Sequence, residues 1–273
     1  MNKRTEVLTL AILLIAGLAV AGPASAVPAV NPGIDLWETQ PGTVIDFSDN
    51  PLPAGFFPGC PSPFAGQVPV SGDPIAADKA LGTSDTILQR TGIINFDATG
   101  KGSTTLVMAA LCVKNGGWVD PCGRTWTVKA RLSAVQAPGS ITAVVTSASG
   151  GSFTADFTVK ADVIFTSGAT SLTTTDSLRM VTTGGAWQYA PPAGAVVVSG
   201  NVNVDSNCDG ALDKVLPGTS NFFPTAATHS GPHPTKPPKP CNVQPASPRN
   251  AVPAPAPTPI KCAVIEVPAE PAN

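Results

Sequence analysis

Ser152–Thr166 reads SFTADFTVKADVIFT, and the order of residue types in it decides the fold class. Phe153, Ala155, Phe157, Val159, Ala161, Val163 and Phe165 are apolar. Between them stand Thr154, Asp156, Thr158, Lys160 and Asp162, with Ile164 the one exception. A helix would scatter this set around its circumference, whereas a strand sends alternate side chains to opposite faces. The stretch predicts one long half-buried strand, or two strands joined at a bulge.

The same period recurs on either side. Thr125–Val135 places Trp126, Val128, Ala130, Leu132 and Ala134 inward and Lys129 and Arg131 outward. Thr104–Val113 is apolar on both faces and reads as a central strand. Ile141–Thr146, Ser177–Thr182 and Ala195–Val204 follow the same reading, and Thr43–Phe47, Gly66–Val70 and Thr86–Arg90 precede it. Turn signals separate these runs at Asn115-Gly116-Gly117, Pro138-Gly139, Gly150-Gly151, Gly184-Gly185 and Pro191-Pro192. Many short strands with glycine and proline punctuation predict an all-β, antiparallel β-sandwich or jelly roll over residues 27–223.

Both ends depart from this pattern. Lys3 and Arg4 precede an apolar run from Val7 to Val20, and Ala24-Ser25-Ala26 supplies small residues before Val27. Residues 1–26 therefore read as a signal peptide cleaved near Ala26. The run is shorter than the roughly 20 residues that span a bilayer, and no second apolar run anchors the mature chain. From Pro224 to Asn273 the composition turns proline-rich, which favours extended conformations and predicts a disordered low-complexity tail. The expected location is secreted or cell-surface.

Loss of Lys3, Arg4 and Glu6 from 16 basic and 18 acidic residues leaves 14 and 17, a net charge of about −3. With no basic stripe, nucleic acid is not an expected partner. The six cysteines, Cys60, Cys112, Cys122, Cys208, Cys241 and Cys262, all follow the leader, and an even count in an exported chain predicts disulfides. The pairs expected are Cys112–Cys122, Cys60–Cys208 and Cys241–Cys262. Zinc is not expected, because there is no CxxC pair.

One stretch carries ligand chemistry. In VDSNCDGALDKVL, Asp205, Asn207 and Asp209 occupy positions 1, 3 and 5 of a twelve-residue calcium loop. Gly210 stands at the sharp turn, Ala211 offers a carbonyl at position 7, and Asp213 takes position 9. Leu216 stands where a bidentate carboxylate belongs. Cys208 points away from such an ion, free to tether the loop. Residues 205–213 resemble the calcium loops of dockerins and thrombospondin type 3 repeats, and the resemblance implies a structural calcium ion. The competing reading is a solvated polar turn.

A second segment, DFSDNPLPAGFFPGCPSPFAGQVPVSG from Asp46, concentrates Phe47, Phe56, Phe57 and Phe64 below Trp37. It reads as an irregular loop covering one end of the sandwich, with a sugar-stacking platform as the alternative. Continued to Arg90, it resembles exported bacterial β-sandwich proteins, a resemblance that implies no activity. Catalytic sets are missing. There is no GxSxG or HExxH, and Gly100-Lys101-Gly102-Ser103 lacks the spacing of a phosphate loop. His229 and His233 lie in THSGPHP, where nothing in the sequence holds an imidazole in register. Glu38 is the one glutamate of the expected domain. The reading is a non-enzymatic structural or cell-surface protein. The alternatives are a carbohydrate-binding module using Trp37, Trp118 or Trp187, and a secreted hydrolase.

Overall fold

The computed structural model describes residues 27–134, 136–225, 228–229 and 232–234. The chain is all-β. Its strands are β1 (Gly33–Thr39), β2 (Val44–Asp46), β3 (Gln67–Pro69), β4 (Ser71–Gly72), β5 (Thr86–Arg90), β6 (Lys101–Val119), β7 (Thr125–Leu132), β8 (Gly139–Ser147), β9 (Gly150–Ser167), β10 (Thr170–Gln188), β11 (Val202–Val204), β12 (Lys214–Leu216), β13 (Phe223–Pro224), β14 (Thr228–His229) and β15 (Pro232–Pro234). Among the described residues no helix is long and apolar enough to cross a membrane.

The decisive stretch forms a single strand. All seven inward residues of β9, from Phe153 to Phe165, are at most 5% exposed, while Thr154, Asp156, Lys160 and Thr166 face solvent. β9 lies within a ten-stranded sheet of order β13-β10-β9-β7-β6-β5-β1-β14, antiparallel except for the parallel β1–β14 pair. β7 and β8 share one lane of it. β7 pairs with the C-terminal half of β6 and β8 with the N-terminal half, and both pair with β9 on their other side. The two form one long strand interrupted at residues 133–138.

Each face of this sheet carries a cover. On one face β2 and β3, with β15, make a three-stranded sheet. Ile45, Phe47, Phe57 and Val68 from this side pack with Met108, Val128, Val163 and Phe165 below. On the other face the β11–β12 hairpin sets Val202, Val204 and Leu216 against Ile34, Ile87 and Ala110. Arg131 and Cys112 are paired across β7 and β6, so this second cover ends near Arg131. Beyond it the outer faces of β9 and β10 are open.

Several expectations are corrected here. Asn115-Gly116-Gly117 is no turn: β6 runs through it, with the register against β7 shifting between Asn115 and Trp118. Gly184-Gly185 is likewise a shift within β10, where a Cβ on Gly185 would stand 2.6 Å from the Phe153 ring. Glycine inside a strand permits a bulge as readily as it permits a turn. Of Ala195–Val204 only the last three residues form a strand. β1 was missed because both its faces are buried, which erases alternation.

The cysteine pairs are also different. Cys60 bonds Cys122, and Cys112 bonds Cys208, with Cα–Cα distances of 5.7 and 5.8 Å. The expected Cys112–Cys122 pair assumed a turn between them. Instead Cys112 is followed by seven further residues of β6, an extended run of about 23 Å, several times the Cα separation a disulfide spans. With each partner taken, Cys60–Cys208 is excluded as well. Cys241–Cys262 lies outside the described residues.

Candidate functional site

The loop between β11 and β12 carries the predicted calcium donors. Buried Val204 and Leu216 pin its two ends to the sheet, and Cys208 ties its crest to β6. Cys208 itself has φ 59°, unusual for a residue with a side chain, and Gly210 has φ 95°. Asp205 is 3% exposed. Its Oδ1 accepts the Asp209 N–H at 3.1 Å and its Oδ2 the Gly210 N–H at 2.8 Å. Asn207 Oδ1 also accepts from Asp209 N–H, and Asp209 Oδ1 accepts the Ala211 N–H at 2.9 Å. That last bond leads the influences holding Asp209 below the usual carboxylate range. Asp213 takes the N–H and hydroxyl of Ser206 at 2.7 and 3.0 Å.

These oxygens suit a hard cation, and an ionised carboxylate that accepts one N–H per oxygen keeps further lone pairs. In the present conformation they serve the loop's own backbone. Among the described residues, one set of three metal-ligating side chains gathers within 4.8 Å, namely Cys60, Asp120 and Cys122, and the loop's three carboxylates do not. Leu216, at the twelfth position, is buried and apolar. Nor is the Cys60 group a metal centre. Its sulfurs are joined to each other, and Asp120 accepts from Trp126 Nε1 at 2.8 Å and from the Cys122 and Arg124 N–H groups at 2.9 Å.

A second polar cluster escaped the sequence reading. Asp85 precedes β5 and is 2% exposed. It accepts the Thr39 N–H at 2.7 Å, the Thr39 hydroxyl at 2.9 Å and the Thr86 hydroxyl at 2.7 Å. His229 Nε2 lies 2.8 Å from Thr86 Oγ1, 3.2 Å from Thr39 Oγ1 and 3.6 Å from Asp85 Oδ1. This overturns the expectation that nothing holds that imidazole: β14 docks on β1, and His229 is buried. Both threonine hydroxyl protons go to Asp85, so the Nε2 facing their oxygens is the donor in this network. An imidazole donating to Thr86 does not activate it as a nucleophile. The arrangement ties β14 to β1 and to the start of β5.

Arg90 and Asp35 make a buried ion pair. The guanidinium meets the carboxylate at 3.0 Å, donates to Ser220 Oγ at 2.9 Å and lies 4.7 Å above the Phe222 ring. Burial pushes Asp35 up, against the pull of Arg90. The signal available in the sequence was a charge closing the short TILQR strand.

The aromatic residues are packed rather than displayed. Trp37 and Trp187 are 7% and 2% exposed. Trp118 is half-buried, with its ring centroid 5.4, 5.2 and 5.6 Å from those of Phe57, Phe64 and Phe165. The segment from Asp46 thus acts as the covering loop, and Cys60 fastens it to the β6–β7 turn. Beneath this cover lies a cavity of about 20 Å³, lined by Ile45, Val113, Val163, Met180, Asp176 and His229 among others. A more open cleft of about 190 Å³ runs beside β1, with Asp35, Glu38, Ser84 and Phe222 on its walls. Glu38 is exposed at its rim.

Fold and site together define a class: a mainly antiparallel all-β protein, with part of its main sheet covered on both faces and two disulfides stapling the covers. Comparison with protein-family models, with curated proteins and with solved structures found no match.

Proposed function

We propose that this is an exported, non-enzymatic β-protein that serves a structural role outside the cell or at its surface. The observation that carries the reading is the placement of the disulfides. One fastens the aromatic cover and the other the polar loop, each to β6 or the turn after it. Such staples persist in oxidising compartments and resist loss of the covers there. The buried ionisable groups support the same reading, since Arg90, Asp35, Asp85 and Asp120 are spent on internal hydrogen bonds.

A structural calcium ion is part of the proposal, held by Asp205, Asn207, Asp209 and Asp213 with the Ala211 carbonyl. Binding draws the remaining lone pairs of these oxygens together around the ion, and the Cys112–Cys208 bond keeps the loop in place while they converge. Secretion follows from the leader, residues 1–26, which lie outside the described residues. The test is expression with that leader. An oxidised medium product beginning near Val27, inert toward a panel of polysaccharides and unbound on a glycan array, is expected. A product retained in the cytoplasm, or measurable hydrolysis, would sink the proposal, and glycan binding would favour the carbohydrate module.

A further inference from the structure

The Cys60–Cys122 bond joins two segments that each have backbone bonds of their own. On the turn after β6, Asp120 N–H donates to the Arg124 carbonyl and Gly123 N–H to the Asp120 carbonyl, both at 2.9 Å. On the covering loop, Cys60 N–H donates to the Phe57 carbonyl and Gly55 N–H to the Cys60 carbonyl, again at 2.9 Å. Buried Asp120 stands beside the sulfurs, with a carboxylate oxygen and both Sγ atoms within 4.8 Å of one another. Burial raises its pKa, but the bonds from Trp126, Arg124 and Cys122 outweigh burial and hold it below the usual carboxylate range. It is thus ionised and fixed in orientation, and its Oδ2, which accepts from Trp126, keeps a further lone pair. The two disulfides also differ in access. Cys122 is exposed, whereas Cys112 is 3% exposed and Cys208 half-buried. A thiol in solution reaches Cys122 first.

We propose that Cys60, Asp120 and Cys122 form a redox-gated zinc site, closed as a disulfide and opened by a dithiol reductant. A thiolate of the reductant attacks Cys122 Sγ, and Cys60 leaves as a thiolate that takes up a proton. The reductant's second thiolate then displaces Cys122 from the mixed disulfide, and Cys122 is protonated in turn. Two cysteine thiols and one oxidised reductant result. Zinc displaces the two thiol protons and takes both sulfurs and an Asp120 oxygen, leaving the fourth tetrahedral position to water on the exposed side of Cys122. Zinc–sulfur bonds of about 2.3 Å set the sulfurs roughly 3.8 Å apart, a small opening for a pair whose Cα atoms are 5.7 Å apart. The ion then fastens the aromatic cover as the disulfide does. Two thiolates select zinc over calcium or magnesium, so the site is independent of the 205–213 loop.

The experiment treats the full mature chain with a mild dithiol and maps its thiols. Free thiols on Cys60 and Cys122 are expected, with Cys112–Cys208 intact. Dialysis against zinc alone should then load one ion per chain in the reduced protein and none in the oxidised one. Cobalt(II) in its place should give the intense near-ultraviolet band of thiolate-to-metal charge transfer. Excess calcium should displace neither ion. Asp120→Asn, whose side-chain oxygen still accepts N–H bonds, should weaken zinc by about 10-fold or more. Cys122→Ser, which leaves Asp120 in place, should lose the ion and the cobalt band. Hydrogen exchange over Gly55–Phe64 should rise severalfold on reduction and fall again with zinc. Reduction of both disulfides together would overturn the gate. No uptake by the reduced chain, equal uptake by the oxidised one, or full affinity in either variant would overturn the site.

Discussion

The side chain of Gln136 pairs with the backbone of Lys160 as a peptide group would. Lys160 N–H donates to Oε1 at 3.0 Å, and Nε2 donates to the Lys160 carbonyl at 2.8 Å. Lys160 lies in β9 opposite the break between β7 and β8. The carboxamide stands in for the missing rung, and Ser133 N–H also donates to Lys160 O at 3.0 Å. Gln136→Ala should therefore cost about 1–2 kcal/mol, read by urea denaturation. Gln136→Asn, one methylene shorter, should not restore it. A variant as stable as the parent would show that water replaces the rung without loss.

The disulfides offer a direct check. Non-reducing peptide mapping should recover Cys60–Cys122 and Cys112–Cys208, which close spans of 62 and 96 residues. Replacing Cys112 and Cys208 by alanine should cost about 2–5 kcal/mol. Recovery of Cys112–Cys122 would contradict the continuous course of β6.

Arg90 is fully buried, and so is its partner Asp35. Arg90→Met alone leaves a carboxylate without its cation and should destabilise by about 3–5 kcal/mol. Arg90→Met with Asp35→Leu removes both charges and should recover most of that loss. If the double variant is the less stable of the two in chemical denaturation, the bonds from Arg90 to Asn31 and Ser220 matter more than the ion pair.

Acid should weaken the fold through Asp85. Burial, the largest single influence, raises its pKa, but hydrogen bonds from His229, Thr39 and Thr86 together bring it below the ordinary 3.8. An acid with a lowered folded pKa contributes stability that is complete above the unfolded value and is lost as pH falls through the folded one. The stability gap between parent and Asp85→Asn should hold steady down to about pH 5 and shrink below pH 3.8. Denaturation curves at a series of pH values decide it. A gap that stays constant into strong acid would show that Asp85 titrates alike in both states.

Calcium should act weakly on the 205–213 loop. Without a carboxylate at Leu216, the dissociation constant should be on the order of 0.1–1 mM. At ten times that concentration, binding stabilises by roughly 1.4 kcal/mol, a rise in melting temperature of about 3–6 °C. The comparison is a melt in chelator against one in calcium, with magnesium as control and Asp209→Ala as the variant that abolishes the shift. Identical melts, with no heat of binding in calorimetry, would leave the loop a polar turn closed by its own N–H groups.

From its sequence alone this chain is an all-β protein, because the alternation in Ser152–Thr166 is a local property: each residue's face follows from its neighbours' types. The polar loop was legible for the same reason, since the spacing of Asp205, Asn207, Asp209 and Asp213 lies within nine residues. What the glycine pairs do was not, because Gly116-Gly117 and Gly184-Gly185 satisfy turn and bulge alike, and the neighbouring lanes of the sheet choose between them. The cysteine partners and the Thr86–His229 contact, separated by 62, 96 and 143 positions, were decided only when the lanes were stacked. Such pairings depend on which edges lie side by side, and no local pattern of side chains encodes that.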